Sequence, residues 1–458
     1  MINIKLKKTK VYGWSRSDFT ISQYYKTSSI DEVNSIFELA KKNNKKISLR
    51  SGGRSYGDNT LNEDNIILNY FSKNKIIHFD VENGVIEVCG STSLIDILKY
   101  SIPKGWILYV CPASQFITVS GAISNNVHGK NCFSKGYFGD YIDEIQLFSY
   151  EKGILICSKH NNTNLFYSVI SGLGVLGIIL KVKIRMKKID TTILNTSVCH
   201  VSNLDNVIKK IENLKYSHEY NIGTLNFTRY NKDNISGKIY SSNFSNKKLL
   251  DSNISNANVF IYFVNFCLLI NNFPLTNRIV EYFLSIITNN KILFNKNFHQ
   301  NFFKMNFLGD LNLPLYNYFF KNGFIEYQVI FNKEKYFDAI IELQNLIKKN
   351  NYESYMSSIK AYKPSNNLYM FGLSKDGYCI TLDIPVRKGN NFQTFIRKLN
   401  EITIKFNGQV YMGKTPCVNS NEFKQMYKKY ENFKKVKTSL DPKLLLSSNM
   451  FSRIFNDI

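Results

Sequence analysis

The most informative part of this sequence is a glycine-rich stretch, Arg50-Ser51-Gly52-Gly53-Arg54-Ser55-Tyr56-Gly57-Asp58. It follows a short strand-like run at 47–49 and places three glycines among several hydrogen-bond donors. Glycines in such a turn let main-chain N–H groups approach a ligand closely, so the turn can cradle a pyrophosphate as an anion nest. An ordinary glycine-rich turn fits the stretch by itself equally well. The choice between the two interpretations depends on the rest of the chain.

A second glycine-containing segment, PASQFITVSGAISNNVHGKN at 112–131, favours the ligand interpretation. Asn83-Gly84, between two strand-like runs, predicts a two-residue hairpin, and a helix is predicted over 94–100 with Ser93 as its cap. Two phosphate-binding loops separated by a hairpin and a helix suit a long dinucleotide such as FAD. His128 could by itself be a core histidine, but its glycine and asparagine neighbours favour a ligand-facing loop.

Gly172, Gly174 and Gly177 form a literal G-x-G-x-x-G, the pattern typical of nicotinamide dinucleotide sites. That fingerprint requires a strand before it and a helix after it. Here a helix-like segment at 164–170 precedes the glycines and a strand-like run at 178–184 follows them. The order is reversed, so we reject a nicotinamide site at this position.

The order of helix and strand signals predicts a mixed α+β fold. Ser29 and Glu32 have the spacing of a capping box that opens a helix. Beyond about residue 190, aromatic-rich segments at 260–266 and 316–320 alternate with strand-like runs at 325–331 and 379–384, which predicts a second lobe built on an antiparallel sheet. The apolar run at 259–270 is too short to span a bilayer, and a core segment is favoured over a lipid-facing surface.

Composition limits the classes of function. The 458 residues allow two domains or one two-lobed enzyme, and 44% hydrophobic residues argue against disorder. The net charge of +24 is compatible with a phosphate-bearing substrate, a membrane surface or nucleic acid, although a general lysine bias explains it as well. The eight cysteines show no metal-ligand spacing, so we expect reduced, buried thiols and no metal. The N-terminal residues contain no continuous apolar region of a signal peptide, and a cytoplasmic location is expected.

Several motifs together resemble the FAD domain of the vanillyl-alcohol-oxidase superfamily. These are the stretches at 50–58 and 112–131, GLGVLGIIL at 172–180 and GWSR at 13–16. Within that superfamily, HGKN at 128–131 and GQVYMGK at 408–414 are most similar to the decaprenylphosphoryl-β-D-ribose 2-oxidase family. The similarity runs from about Gly13 to Met450 and is weakest between about 230 and 300.

The resemblance implies an architecture with three parts. Residues 1–189 would form a PCMH-type FAD-binding domain of two α/β subdomains, and residues 190–407 a substrate-binding domain with an antiparallel sheet and flanking helices. The segment 408–458 would return to the FAD domain.

The resemblance also implies site residues. Those expected to bind FAD are Gly53, Arg54, Ser55, Tyr56, Gly57, Asp58, Ala113, Thr118, Ser120, Gly121, Asn125, His128, Ile178 and Tyr411. Those expected to contact substrate are Gln328, Lys360, Thr381 and Lys414, and those expected to act in catalysis are Lys414, Tyr411 and His128. Members with covalent FAD usually carry a histidine where this chain has Arg54, whose guanidinium cannot serve as the ligand, so dissociable FAD is expected.

Oxidation of an alcohol requires an acceptor for the hydroxyl proton and positive charge near the reduced flavin. Lys414 is the candidate for that charge, or for a direct hold on the substrate, and His128 and Lys414 both remain candidates for the proton acceptor. The chain departs from the family in three places. Glu326 stands where the family usually has Gln, and Thr381 stands where mycobacterial members have a drug-reactive cysteine. A tryptophan of the substrate lobe is also absent, with Thr224 near its place. Asp383 matches a family position.

The expected reaction is oxidation of the 2-hydroxyl of a polyprenyl-phosphate pentose. A separate short-chain NAD(P)H reductase would complete an epimerisation, and the lipid substrate would bring the protein to the inner membrane face as a peripheral partner. The alternative is an aldonolactone or alditol oxidase acting on a free sugar. A basic nucleic-acid-binding protein is disfavoured because no recognised nucleic-acid motif is present.

Overall fold

A computed structural model describes residues 4–227, 235–252, 296–312, 316–414 and 417–457. Helices and three β-sheets alternate through these residues, so the predicted α+β class is confirmed. Single-turn 3₁₀ helices occur at Asp58–Thr60, Ile102–Lys104, Phe138–Tyr141 and Tyr316–Tyr318.

The first sheet has four strands in the order β1-β2-β4-β3. They are β1 (Lys7–Tyr12), β2 (Phe19–Thr27), β3 (Ile47–Leu49) and β4 (Ile66–Tyr70). β4 pairs in parallel with both β2 and β3, and the crossover helix α1 (Ile30–Lys42) buries the apolar face that its sequence period predicts. Ser29 caps α1 as expected. The prediction that the Glu32 side chain would bond back to the main chain of Ser29, as in a capping box, is wrong. The Glu32 carboxylate instead accepts hydrogen bonds from Tyr25 and Thr27.

The second sheet is antiparallel, in the order β5-β6-β10-β8-β9, with β7 also paired to β10. Its strands are β5 (Ile76–Asp80), β6 (Val85–Cys89), β7 (Trp106–Leu108), β8 (Ile142–Ser149), β9 (Gly153–Ser158) and β10 (Ile178–Lys188). The chain between them forms α2 (Leu94–Ser101), α3 (Val119–Ser124), α4 (Cys132–Lys135) and α5 (Thr163–Val169). Ser93 caps α2 as predicted.

The β5–β6 hairpin is present, but the predicted two-residue turn is wrong. Asp80 pairs with Val85, so four residues form the connection. The Asp80 carboxylate accepts hydrogen bonds from both the main chain and the side-chain amide of Asn83, and Gly84 has a φ of +67°. The aspartate side chain thus stabilises a longer turn than the Asn-Gly pair alone indicates.

The third sheet has eight antiparallel strands in the order β14-β11-β13-β12-β16-β17-β15-β18. They are β11 (Ile193–Val201), β12 (Tyr220–Phe227), β13 (Gly237–Phe244), β14 (Lys296–Asn301), β15 (Phe324–Asn332), β16 (Ser354–Tyr362), β17 (Gly377–Pro385) and β18 (Gln409–Val410). The associated helices are α6 (Leu204–Leu214), α7 (Phe302–Asn306), α8 (Leu308–Asn312), α9 (Lys333–Lys349) and α10 (Asn390–Lys405). β15 and β17 confirm the predicted strands and the antiparallel second lobe.

The C-terminal segment contacts two sheets. β18 extends the third sheet beside β15, and the chain then forms α11 (Ser420–Met426), α12 (Tyr430–Leu440) and α13 (Asn449–Ile454). Between α12 and α13 the chain runs beside β3, where Ile47 donates to the carbonyl of Leu445 and accepts from Ser447. The end of the chain is therefore joined by main-chain hydrogen bonds to strands more than 70 and nearly 400 residues earlier in the sequence.

Two further expectations concern apolar segments and cysteines. The runs at 259–270 and 260–266 lie outside the described residues, as does Cys267. The seven described cysteines are free, and all but Cys199 and Cys417 are buried. No helix within the described ranges combines the length and the apolar character needed to cross a bilayer.

Candidate active site

A cavity of about 1200 Å³ opens between the glycine-containing loops and one face of the third sheet. The loop after β3, the segment around α3 and the turn before β10 form one side. Side chains of β12, β15, β16 and β17 form the other side, and the loop after β18 contributes Tyr411 to Lys414.

The loop after β3 presents main-chain N–H groups that are not bonded within the main chain. Within the described part of the chain, none of the N–H groups of residues 51–57 donates a main-chain hydrogen bond. The carbonyls of Ser55 and Tyr56 accept from Trp14 and Ser15. Gly53 has a φ of +61°, and a Cβ on Gly52 would lie 2.9 Å from the carbonyl oxygen of Phe116. These N–H groups are available to an anion such as a pyrophosphate.

The start of α3 was expected to belong to a second phosphate-binding loop, and the structure differs from that expectation. Val119 and Ser120 donate their N–H groups to the carbonyls of Thr92 and Gly90, and the N–H of Gly121 donates to the capping hydroxyl of Thr118. Three N–H groups that a free helix N-terminus would offer to a phosphate are therefore already bonded within the protein. This segment lines the cavity with side chains and does not form a second anion nest.

The turn between α5 and β10 contributes to the same cavity although it is not a nicotinamide site. α5 precedes the three glycines and β10 follows them, which confirms the reversed order. Ser171 and Leu173 both have φ near +60°, and their N–H groups donate to carbonyls of α3. Non-glycine residues in this conformation are strained and are found often at ligand sites. Leu173 and Gly174 line the cavity, a role that the sequence analysis did not assign.

Gly57 and Asp58 do not lie on the cavity wall. Asp58 instead makes a two-pronged ion pair with Arg453 of α13, with both carboxylate oxygens 2.9 Å from Nη2. Burial raises the pKa of Asp58 to about 6, against the opposing effect of Arg453. This placement does not fit the FAD contact that the resemblance implies for these two residues. Asp58 joins the loop to the end of the chain.

His128 lies at the centre of an aromatic and amide cluster. The amide Nε2 of Gln328 donates to Nε2 of His128 over 2.8 Å, and Nδ1 of His128 is buried without a partner among the described residues. Burial, with a further contribution from Lys360 and Lys414, holds the pKa of His128 well below its usual value. The Tyr411 hydroxyl donates to the carbonyl of Asn125 over 2.9 Å. His128 is thus a neutral ring held by Gln328.

Lys414 is bound on two sides. Its Nζ is 3.1 Å from Oε2 of Glu326 and lies over the ring of Tyr56, 3.6 Å from the ring centre. Lys414 is among the site residues expected from the sequence and Glu326 is a departure from the family, but no sequence pattern connects the two. The ion pair links the loop after β18 to the face of β15.

Two further lysines line the cavity. Lys360 forms no ion pair or hydrogen bond with the residues that the structure describes. Lys130 donates to the main-chain carbonyls of Met305 and Asn306, and burial beside Lys360 lowers the pKa of Lys130 to about 7. Lys130 was quoted within HGKN without a role. Its position beside His128 in that motif is the sequence signal that could have identified it.

Every other sequence-predicted site residue lies on this cavity wall: Gly53, Arg54, Ser55, Tyr56, Ala113, Thr118, Ser120, Gly121, Asn125, His128, Ile178, Gln328, Lys360, Thr381, Tyr411 and Lys414. The free N–H groups of the first loop suit a pyrophosphate. The buried Oδ1 of Asn125, which has no partner among the described residues, is available to a donor on the bound group. The described lining contains no cysteine, and Arg54 packs over Phe116, 4.8 Å from the ring centre. The residues present therefore fit FAD.

Comparisons with known proteins agree with this geometry. An FAD-binding-domain family model matches residues 21–158, and a D-arabinono-1,4-lactone oxidase family model matches residues 201–454. The decaprenylphosphoryl-β-D-ribose oxidase of Mycolicibacterium smegmatis is 24% identical over 97% of each chain. The L-gulonolactone oxidase of Mus musculus is 26% identical over 49% of this chain and 51% of its own. The D-arabinono-1,4-lactone oxidase of Candida glabrata is 28% identical over 36% of this chain and 31% of its own.

These matches confirm the resemblance to decaprenylphosphoryl-ribose oxidases and identify FAD as the cofactor. The second family model covers more than half of the chain. The protein therefore belongs to the D-arabinono-1,4-lactone oxidase family and is an FAD-dependent oxidoreductase that acts on CH–OH groups.

Proposed function

We propose that this enzyme oxidises the 2-hydroxyl of a pentose carried on a polyprenyl phosphate to a ketone. A separate short-chain NAD(P)H reductase would then reduce the ketone from the opposite face, so that the pair epimerises the sugar. The similarity to a decaprenylphosphoryl-β-D-ribose oxidase extends over 97% of both chains, which supports this substrate class.

The observation that carries the proposal is the positive charge of Lys130 and Lys360 within the cavity. Burial lowers the pKa of both lysines, and the charge of Lys360 lowers the pKa of Lys130 further, so both ammonium groups are costly. Among the described residues neither has a carboxylate partner. A phosphate on the substrate would supply the missing negative charge and accept hydrogen bonds from both groups. A neutral lactone would leave the two charges uncompensated.

The proposed roles follow from the contacts of each residue. The loop Gly53 to Tyr56 would hold the pyrophosphate, and FAD, when bound, supplies a hydride acceptor. Lys414 would hold positive charge beside the isoalloxazine ring of FAD, where negative charge develops on reduction. Gln328, Lys360 and Thr381 would contact the sugar and its phosphate from the sheet face.

An aldonolactone or alditol oxidase is the second candidate. The match of residues 201–454 to the D-arabinono-1,4-lactone oxidase model favours it, since that range contains the sheet face of the cavity. The product of this reaction would need no reductase partner. The two candidates differ in whether the substrate carries a phosphate.

A lipid-linked substrate would be presented at a membrane surface. The net charge of +24 supports peripheral attraction to the anionic inner face of a membrane, where each basic residue near the surface contributes about 1 kcal/mol. We propose such peripheral contact as the route by which the sugar reaches the cavity.

The test is anaerobic reduction of bound FAD, followed by absorbance, with a short-chain polyprenyl-phosphate pentose or with free aldonolactones and alditols. Lys360→Met should raise the KM for the phosphate-bearing substrate by a factor of about ten or more, because a charge-assisted contact is lost. It should change the KM of a neutral sugar much less. Lys375→Met is the matched control, since Lys375 bonds Asn407 away from the cavity. Reduction by free lactones alone would refute the lipid-linked substrate and support the second candidate.

A further inference from the structure

Two carboxylates face each other on the sheet side of the cavity. Glu326 of β15 and Asp383 of β17 are direct partners in the antiparallel register. Both line the cavity, and they are only 8% and 5% exposed. Directly opposed side chains of antiparallel strands have Cβ atoms about 5 Å apart. The Oδ1 atom of Asp383 is buried without a hydrogen-bond partner among the described residues.

Neither proton acceptor considered from the sequence suits that role in this geometry. Nε2 of His128 already accepts a hydrogen bond from Gln328, and the low pKa of the ring makes it a weak base. Lys414 donates to Glu326 in an ion pair, so its ammonium has no free lone pair for a proton. A proton acceptor must be within hydrogen-bond reach of the substrate and be able to take up a proton.

We propose that Asp383 accepts the hydroxyl proton of the substrate and that Glu326 is the positioning residue that keeps Asp383 basic. This inference rests on the proposed oxidation of a secondary alcohol, but not on which sugar carries it. The O–H bond of the substrate breaks and its proton binds Oδ1 of Asp383. The hydrogen and electron pair of the C–H bond go to the oxidant that the reaction already requires, FAD, so the alcohol is oxidised and the cofactor reduced.

The charges around Asp383 set its behaviour with pH. Glu326 faces it from β15, Lys414 from the loop after β18, and the hydroxyl of Tyr316 and the ring of Tyr56 complete its surroundings. Burial first, and then the charge of Glu326, raises the pKa of Asp383 well above its usual value, while Lys414 and Tyr316 oppose the rise. Asp383 is therefore protonated at low pH and becomes an effective base as the pH rises. Removal of the charge on Glu326 should lower the pH at which this happens.

The first experiment measures the carboxyl itself in the FAD-loaded enzyme without substrate. Infrared difference spectra recorded across a pH titration follow the C=O stretch of a protonated carboxylic acid, and subtraction of the Asp383→Asn spectrum isolates one group. We expect this band to titrate above the usual range of an aspartic acid. In Glu326→Gln its midpoint should move to lower pH by about one unit or more. The control is Glu219→Gln, which removes the carboxylate paired with Lys187 at a similarly enclosed place away from the cavity. It should leave the midpoint unchanged.

The second experiment measures the pH profile of FAD reduction by a substrate alcohol. Glu326→Gln should shift the acid limb by the same amount as the infrared midpoint, and Asp383→Asn should abolish the limb together with most of the rate while FAD remains bound. An infrared midpoint unchanged by Glu326→Gln would overturn the inference even in an enzyme that oxidises the proposed substrate. Failure of every sugar to reduce FAD, with the midpoint shift present, would instead count against the proposed function.

Discussion

Replacement of Lys414 by methionine should preserve FAD binding and remove most of the rate of FAD reduction. The ammonium is 3.1 Å from the Glu326 carboxylate, and at an effective dielectric of about 20 this separation corresponds to roughly 5 kcal/mol of gross attraction. An ammonium beside the flavin would stabilise the reduced, anionic form more than the oxidised form, and only such unequal interactions lower the barrier. Loss of one such stabiliser costs about 3 to 4 kcal/mol, or a factor of about 100 to 1,000 in rate.

A slow Lys414→Met variant has a second possible cause, the loss of the ion pair with Glu326, and the assay must separate the two causes. The single replacement also leaves the buried Glu326 carboxylate without its cation, and breaking a buried pair costs about 3 to 5 kcal/mol by itself. The double variant Lys414→Met with Glu326→Gln removes both charges together. If Lys414 acts on the flavin, the double variant stays slow. If Lys414 only neutralises Glu326, the double variant reacts at the rate of Glu326→Gln alone, measured at a pH above the acid limb of both.

The measurement is stopped-flow absorbance of FAD under anaerobic conditions, with FAD occupancy and thermal unfolding determined on the same samples. The reasoning is refuted if Lys414→Met holds FAD and reduces it within about threefold of the wild-type rate. Recovery in the double variant to within the same factor of the rate of Glu326→Gln alone would also refute a role of Lys414 at the flavin.

Acid or heat precipitation should release FAD into the supernatant, because Arg54 cannot form the covalent bond and the described cavity lining has no cysteine; flavin fluorescence that stays with the pellet would contradict this. Thr381→Cys should make the enzyme sensitive to nitroaromatic inhibitors that capture the mycobacterial cysteine, since Thr381 lies on the cavity wall opposite Gln328. Mass spectrometry should find the adduct, and an active but unmodified variant would show that the pocket differs. Binding of a phosphate-bearing substrate should weaken as the pH rises through about 7, because Lys130 loses its proton there, and titration calorimetry with Lys130→Met should find this dependence reduced.

Local patterns predicted the elements, because they depend on residues near each other in sequence, whereas most of the site residues came from the family resemblance. The period of α1, the cap of Ser93 and the glycines of the 50–58 loop each determine the conformation of a few neighbouring residues. The reversed order around the three glycines was equally local, and the structure confirms that order.

The errors have a different origin, since they concern partners that only the tertiary fold brings together. The N–H groups of α3 meet the carbonyls of Gly90 and Thr92, which no helix pattern indicates. Asp58 meets Arg453 across 395 positions of sequence. The pairing of Glu326 with Asp383 depends on a strand register that alternation alone does not fix.

The course of the C-terminal segment has a consequence for the order of events during synthesis. The cavity obtains Tyr411 and Lys414 only when β18 joins β15, and Arg453 reaches Asp58 later still. A ribosome delivers residues from the N-terminus onward, so a nascent chain has the anion nest long before it has the opposite wall. Closing connections of this length is slow because their chain entropy is lost before the contacts form. The complete pocket for the cofactor therefore forms only after most of these 458 residues have been synthesised.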